Sequence, residues 1–330
     1  MRTAVIGLGL IGGSLLRALA AGGHAVLGYD ADPATRAVAR TAAARAPQGE
    51  RWQVAGAVRD AVANAELVVL AVPLPAVGTV LDELAGIGYS SLLTDVTSVK
   101  GPVRDRVNER ARRFGRLPGF IGGHPMAGRE TSGFTASDPR LFHGCTWVLC
   151  LEPGETELTD WLTLAALITT LGARVVPATA ADHDRAVAAV SHVPHLLAAA
   201  LATVAAADPL ALSLGAGSFR DGTRVAASPP ALSAAMTGGN ADAVGPTLDR
   251  VLSLLGTARA ALDGADPIGE LMPWFATGTA ARAGWPGEPS EPVALPADPD
   301  VLLRLGRAGG WVIAVADDRG TVTAARPLIR

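Results

Sequence analysis

The chain has 330 residues, more than one compact domain usually holds, and a net charge of −3 with no basic block. That balance argues against a nucleic-acid partner. Cys145 and Cys150 are the only cysteines, so neither a disulfide framework nor a zinc spacing exists, and the usage suits a reducing cytoplasm.

Residues 2–6 read as a short buried strand. Gly7-Leu8-Gly9-Leu10-Ile11-Gly12 follows, and a helical run continues to about Ala21. Ala25 to Tyr29 reads as a second strand closed by Asp30, and helix signals fill roughly 33–45 after Pro33. Glycines at 7, 9 and 12 between a strand and a helix, with an acid 23 residues beyond Gly7, have the spacing of a dinucleotide loop. The glycines give a tight turn, close approach to a pyrophosphate and close helix–strand packing. The helix N-terminus offers free N–H groups to the phosphates. Asp30 would accept from the ribose hydroxyls and repel a 2′-phosphate, which favours NAD over NADP, although Arg36 nearby would soften that preference. The backbone of Leu8, Leu10 and Ile11 belongs to the same expected cofactor site.

Residues 66–72 form a third expected strand, and Val72-Pro73 leaves it at the sheet edge that would pass a ribose. A fourth strand, 92–96, leads into Thr97-Ser98-Val99-Lys100-Gly101, where Thr97 or Ser98 would serve as N-cap of a helix over 101–114. Lys100 is the single lysine among 28 basic residues. A strand over 118–122 delivers Gly122-Gly123-His124-Pro125-Met126-Ala127-Gly128-Arg129-Glu130-Thr131-Ser132-Gly133-Phe134. Its glycines and prolines place His124 on a shaped loop rather than within a strand or helix. A neutral imidazole there can take a proton near pH 7. Strand 146–151, helix 156–171 and strand 173–177 complete an alternating pattern that implies a mostly parallel sheet covered on both faces.

Beyond Pro177 the chain becomes alanine- and leucine-rich with helical spacing. Residues 186–207 carry no charge apart from protonatable histidines, but contain Pro194, so a buried helix is expected rather than a membrane span. His192 and His195, three apart, would share a helix face. Asp182 and Asp184 suit the start of that helix, and no metal site is expected from them with His183. Residues 284–299 hold five prolines and read as a linker. A short helix at 299–307 and a hairpin across Asp317-Asp318-Arg319-Gly320 would end the chain. The expected organisation is therefore an α/β Rossmann-type dinucleotide-binding domain (1–178), an all-α dimerisation domain (179–283), and a linker with a short C-terminal tail (284–330).

The glycine loop, Thr97-Ser98-Val99-Lys100-Gly101, the His124 segment, Ser191-His192-Val193-Pro194-His195 and Phe219-Arg220-Asp221-Gly222-Thr223-Arg224 occur in the same order as in prephenate dehydrogenases, and the chain resembles that family from residue 1 to about 280. The resemblance implies oxidative decarboxylation of prephenate to 4-hydroxyphenylpyruvate with NAD+ as hydride acceptor, in tyrosine biosynthesis. It implies His124 as the catalytic histidine at the substrate's ring hydroxyl and Ser98 as the residue that orients it and contacts the nicotinamide. Arg224 would hold a substrate carboxylate, His195 would line the pocket, and Glu130 would gate its mouth. A weaker substrate role extends to Lys100 and His192 by position. Arogenate in place of prephenate, giving tyrosine, is the nearest alternative; a non-catalytic NAD-sensing module is the alternative of a different class. The apolar helices imply a homodimer in the cytoplasm, with only a small molecule as further partner.

Overall fold

The first strand, β1 (Thr3–Ile6), is buried along its whole length, as expected of a central strand covered on both faces. The computed structural model describes residues 1–114, 119–129 and 131–328. After β1 come α1 (Leu10–Ala21), β2 (Val26–Tyr29), α2 (Pro33–Arg45), β3 (Gln53–Val54), α3 (Val58–Val62), β4 (Leu67–Leu70), α4 (Leu74–Ile87), β5 (Leu92–Asp95), α5 (Gly101–Phe114) and β6 (Phe120–Ile121). These strands form one parallel sheet in the order β3-β2-β1-β4-β5-β6. That is the doubly wound dinucleotide-binding order, whose topological switch lies between β1 and β4. Alternation along the strands divides the core. Ala4, Ile6, Val68 and Leu70 pack with Val77, Leu81 and Val103, and Val5, Leu67 and Val69 pack on the other face with Leu15, Leu16 and Leu19.

At Gly122 the chain leaves this sheet and enters a second one. Here β7 (Gly123–Pro125) pairs antiparallel with β8 (Thr146–Cys150), with His124 opposite Val148. His124 therefore lies on a strand, not on the loop that its glycines and proline suggest. Three residues suffice because Pro125 sits at the strand's end. After β8 come α6 (Leu158–Thr170) and β9 (Arg174–Ala178).

The helical segment runs through α7 (Ala180–Val187), α8 (Val193–Ala206), α9 (Pro209–Ser213), α10 (Gly217–Thr223), α11 (Pro230–Gly239), α12 (Ala241–Leu262) and α13 (Pro267–Ala283). Thr179 caps α7, its hydroxyl accepting from Asp182 N–H at 3.0 Å. Between α7 and α8, Ala188–His192 makes a wide π turn. Pro194, which has no N–H to give, follows where the helical ladder restarts. By length and composition the run Ala180–Ala206 could cross a membrane, and 28% of its most apolar 18-residue window is buried. This segment has little core of its own: its buried cluster is Ala188, Val193 and Val244.

Residues 284–330 are more than a linker and tail. β10 (Val293–Pro296), α14 (Pro299–Arg307), β11 (Trp311–Val315) and β12 (Thr321–Ala325) return to the first domain. The hairpin β11–β12 turns at Asp317–Gly320 and joins β9, extending the second sheet to β10-β12-β11-β9-β8-β7. Leu302, Leu303, Val312 and Val322 complete the same core as Trp147 and Trp161. Hydrophobic burial explains the return, because without it this face of β9 and α6 would be wet.

Candidate functional site

The nucleotide end of the site is set by glycines. Gly7 has φ +99°, and a Cβ there would lie 2.4 Å from the Ala71 carbonyl oxygen. A Cβ at Gly12 would lie 1.9 Å from the Gly7 oxygen, so helix and turn meet at a distance that only glycine permits. Gly9 differs, for a Cβ there would meet nothing within 4 Å. It begins α1 with no side-chain cap, so no capping side chain occupies the first-turn N–H groups at Leu10 and Ile11. Leu8 itself is buried; its N–H donates to Asp30 Oδ2 at 2.7 Å. The other Asp30 oxygen accepts from Asp32 N–H at 2.9 Å, which leaves lone pairs on both oxygens for further donors. Arg36 donates to the Asp30 carbonyl at 2.6 Å and lies over the Tyr29 ring. Val72 flanks Gly7, and Pro73 stands exposed beside it at the N-terminus of α4. Uncapped N–H groups, room at Gly9 and an acceptor at the end of β2 fit a dinucleotide at the switch point.

The second half of the site surrounds His124 at the same carboxyl edge. Gly123, the residue before it, is gripped from both sides. Its N–H donates to Asp95 Oδ1 at 3.1 Å, and its carbonyl accepts from Lys100 Nζ at 2.5 Å. Lys100 and Asp95 form an ion pair whose side chains are wholly buried, and Thr97 adds its N–H to Asp95 Oδ2 at 2.9 Å. A Cβ on Gly123 would lie 2.6 Å from the Asp95 carbonyl oxygen. The substrate contact expected of Lys100 thus gives way to a structural role: its ammonium is enclosed by Asp95, Thr97 and the Gly123 carbonyl.

His124 keeps 9% of its surface exposed. Its Nδ1 lies 2.8 Å from His183 Nε2, and His183 Nδ1 lies 2.7 Å from Asp184 Oδ1. Asp184 also accepts from the N–H groups of Lys100 and Gly101, at 2.8 and 2.7 Å. The cap of α5 is therefore Asp184, not Thr97 or Ser98. The partner of the His124 ring is His183 rather than Ser98, which lies half-buried in the turn between β5 and α5. Burial, then His183, Lys100 and His192, hold the His124 imidazole well below its ordinary pKa. Burial likewise lowers His183, against the pull of Asp184. For Asp184, burial acts upward but is outweighed by His183 and the two backbone N–H groups, so the carboxyl sits below its usual range. At neutral pH both rings are neutral and Asp184 is ionised.

His192 and His195 part company. His192 is fully enclosed; Asn240 donates to its Nδ1 at 3.0 Å and to the Asp184 carbonyl at 2.7 Å. Its Nε2 is buried without a partner, and burial pushes its pKa down to about 4. The substrate contact expected of His192 is thus replaced by packing beside His183. His195 remains half-exposed, with Nδ1 on the Ser191 carbonyl at 2.9 Å, which leaves Nε2 as an acceptor. Arg224 is exposed at the start of a short 3₁₀ turn, Arg224–Ala227, that packs on α8, the helix of His195. Glu130 lies outside the described residues. Sequence reasoning missed His183, Asp184, Asp95 and Asn240. The one available signal was an adjacent His-Asp pair in the first turns of a capped helix.

Two family models cover most of the chain: the prephenate dehydrogenase nucleotide-binding domain over residues 15–177 and the prephenate dehydrogenase dimerization domain over 179–276. The prephenate dehydrogenase of Bacillus subtilis is 34% identical over 238 residues, which is 68% of this chain but 60% of that protein's own length. A cyclohexadienyl dehydrogenase of Zymomonas mobilis is 32% identical over 272 residues, 80% of this chain and 89% of that protein. A crystal structure from Corynebacterium glutamicum, provisionally assigned as a prephenate dehydrogenase, superposes with a TM-score of 0.77 at 35% identity, covering 87% of this chain and 90% of that one. With its switch-point glycine loop, its buried histidine at the sheet edge and relatives matched over both domains, the chain belongs to the prephenate dehydrogenase family.

Proposed function

We propose that the chain catalyses the NAD+-dependent oxidative decarboxylation of prephenate to 4-hydroxyphenylpyruvate. The observation that carries this reading is a neutral, mostly buried His124 at the carboxyl edge that also holds an uncapped dinucleotide loop. NAD+ bound at that loop supplies the acceptor for a hydride from the substrate's ring carbon. His124 takes the proton of the ring hydroxyl, a contribution of about 10²- to 10⁴-fold in rate. Loss of the ring carboxylate as CO2 completes the aromatic ring. Arg224 presents a planar fork to a substrate carboxylate, His195 offers Nε2 to the pocket, and Ser98 adds a hydroxyl near the nicotinamide. Asp30 accepts from the ribose hydroxyls, which favours NAD+ over NADP+.

We infer further that the helical segment is covered by a second copy of the chain. Val204 (74% exposed), Leu214 (72%), Ile268 (79%), Met272 (66%) and Phe275 (60%) are too apolar for a wet surface, and the cluster at Ala188, Val193 and Val244 is too small to be the segment's sole core. Two unpaired cysteines, Cys150 buried, suit the cytoplasm.

The deciding assay incubates the purified chain with NAD+ and either prephenate or arogenate and follows NADH and CO2 together. Coupled release of both with prephenate supports the reading. Turnover of arogenate alone moves the assignment to that substrate, and turnover of neither defeats it.

A further inference from the structure

The line Asp184–His183–His124 allows each ring proton to be assigned. An ionised carboxylate only accepts, so His183 Nδ1, at 2.7 Å from Asp184, carries hydrogen. A neutral His183 then has a bare Nε2, which can only accept. His124 Nδ1, 2.8 Å away, must therefore carry hydrogen, leaving His124 Nε2 bare. The root of the line is fixed independently. Lys100 and Gly101 donate their N–H groups to the same carboxylate, and Asn240 turns its amide nitrogen toward the Asp184 carbonyl. That orientation is required, since the opposite one would set two oxygens against each other.

We propose that Asp184 and His183 are positioning residues that hold His124 in the tautomer able to accept a proton, so that the helical domain completes a base carried by the nucleotide-binding domain. The proposal rests on reading His124 as the base. In the other tautomer Nε2 bears hydrogen and can only donate. The groups facing His124 are His183 from α7, Lys100 from the turn before α5 and His192 from the π turn. Lys100 opposes an imidazolium, whereas Asp184, acting through His183, places an anion in line with the ring. Because that carboxylate also holds the first N–H groups of α5, separating α7 from α5 breaks the line at its root. Proton acceptance is thereby tied to the contact between domains.

Two readouts on the full chain test this. In ¹⁵N-histidine NMR of the wild type, His124 should be the Nδ1–H tautomer. Asp184→Asn should abolish the single fixed Nδ1–H tautomer, because an amide at that position no longer obliges His183 Nδ1 to donate. With prephenate, Asp184→Asn and His183→Phe should each lose about 10²- to 10⁴-fold in kcat with little change in KM. The acid limb of the Asp184→Asn pH profile should move to lower pH, since the anion that favours the imidazolium is gone. His183→Gln, whose oxygen can still accept from Nδ1, should keep the tautomer and recover activity to within about tenfold of wild type. A merely structural role would not single out glutamine for rescue or move the pH profile. An Nε2–H tautomer in the wild type, or wild-type kcat and pH profile in His183→Phe, overturns the proposal. If the wild type turns over neither substrate, the activity reading fails and the tautomer alone decides. If Asp184→Asn does not fold, the two His183 variants carry the test.

Discussion

His183 meets His124 edge to face, ring centroids 5.0 Å apart, with Nε2 of one 2.8 Å from Nδ1 of the other. One ring comes from the second sheet and the other from the first helix of the helical segment, so a residue beyond the nucleotide domain sets the chemistry at its edge. His124→Asn keeps a small polar side chain on β7 but removes the basic nitrogen. It should lower kcat by about 10²- to 10⁴-fold while NAD+ affinity, measured by quenching or calorimetry, stays within about threefold. A variant with wild-type kcat would remove His124 from proton transfer.

Much of this was legible beforehand, and the limits have physical causes. Helices α2, α5 and α14 were readable to their ends because apolar spacing and Pro or Gly near their starts agree. The glycine loop was readable because its spacing encodes local geometry. Strand β7 was not, since its partner β8 rather than its own composition makes it a strand. Nor was the destination of the C-terminal hairpin, whose partner β9 lies far upstream. Lys100 was noticed for its rarity, yet its role depends on Asp95 and Gly123, which only the folded sheet edge brings to it. His183 and Asp184 looked like the ordinary start of a helix, and nothing local points them at His124.

Asp30 does two things that one substitution will expose together. Its Oδ2 fixes the Leu8 N–H at 2.7 Å, inside the glycine loop, and it stands where ribose hydroxyls would approach. Arg36 stays beside it on the Asp30 carbonyl. Asp30→Ala should therefore raise KM for NAD+ and relieve repulsion of a 2′-phosphate. The ratio of kcat/KM for NAD+ over NADP+ should fall by roughly tenfold or more. An unchanged ratio, measured by initial rates with both cofactors, would mean that another group reads the ribose.

Stability should depend on pH in a window set by three histidines. His124, His183 and His192 are all held below the ordinary imidazole value, chiefly by burial, with His192 at about 4. From about pH 6.5 downward the unfolded chain binds protons that the folded chain refuses. The sign follows: stability is full above about pH 6.5 and declines as pH falls, by up to about 1.4 kcal/mol per pH unit for each histidine. Asp184, held low in the fold, acts in the same direction further down the scale. Urea midpoints at about pH 7.5 and about pH 5 should differ accordingly; equal midpoints would show that the rings protonate in place.

The buried Lys100–Asp95 pair gives the clearest test of how β7 is held. Both side chains are fully enclosed, and together they engage the N–H and the carbonyl of Gly123. Lys100→Met removes the cation but leaves a carboxylate without its counter-charge. That should cost about 3–5 kcal/mol by chemical denaturation. Replacing both partners, as Asp95→Asn with Lys100→Met, removes the stranded charge, so the double variant should be more stable than Lys100→Met alone. Its activity should nevertheless stay low, because the Gly123 carbonyl has lost its donor and His124 follows directly on the strand. A double variant that regains stability and full kcat together would show that the pair serves only the core. Regained stability without activity would separate the two roles and assign the pair to the placement of His124.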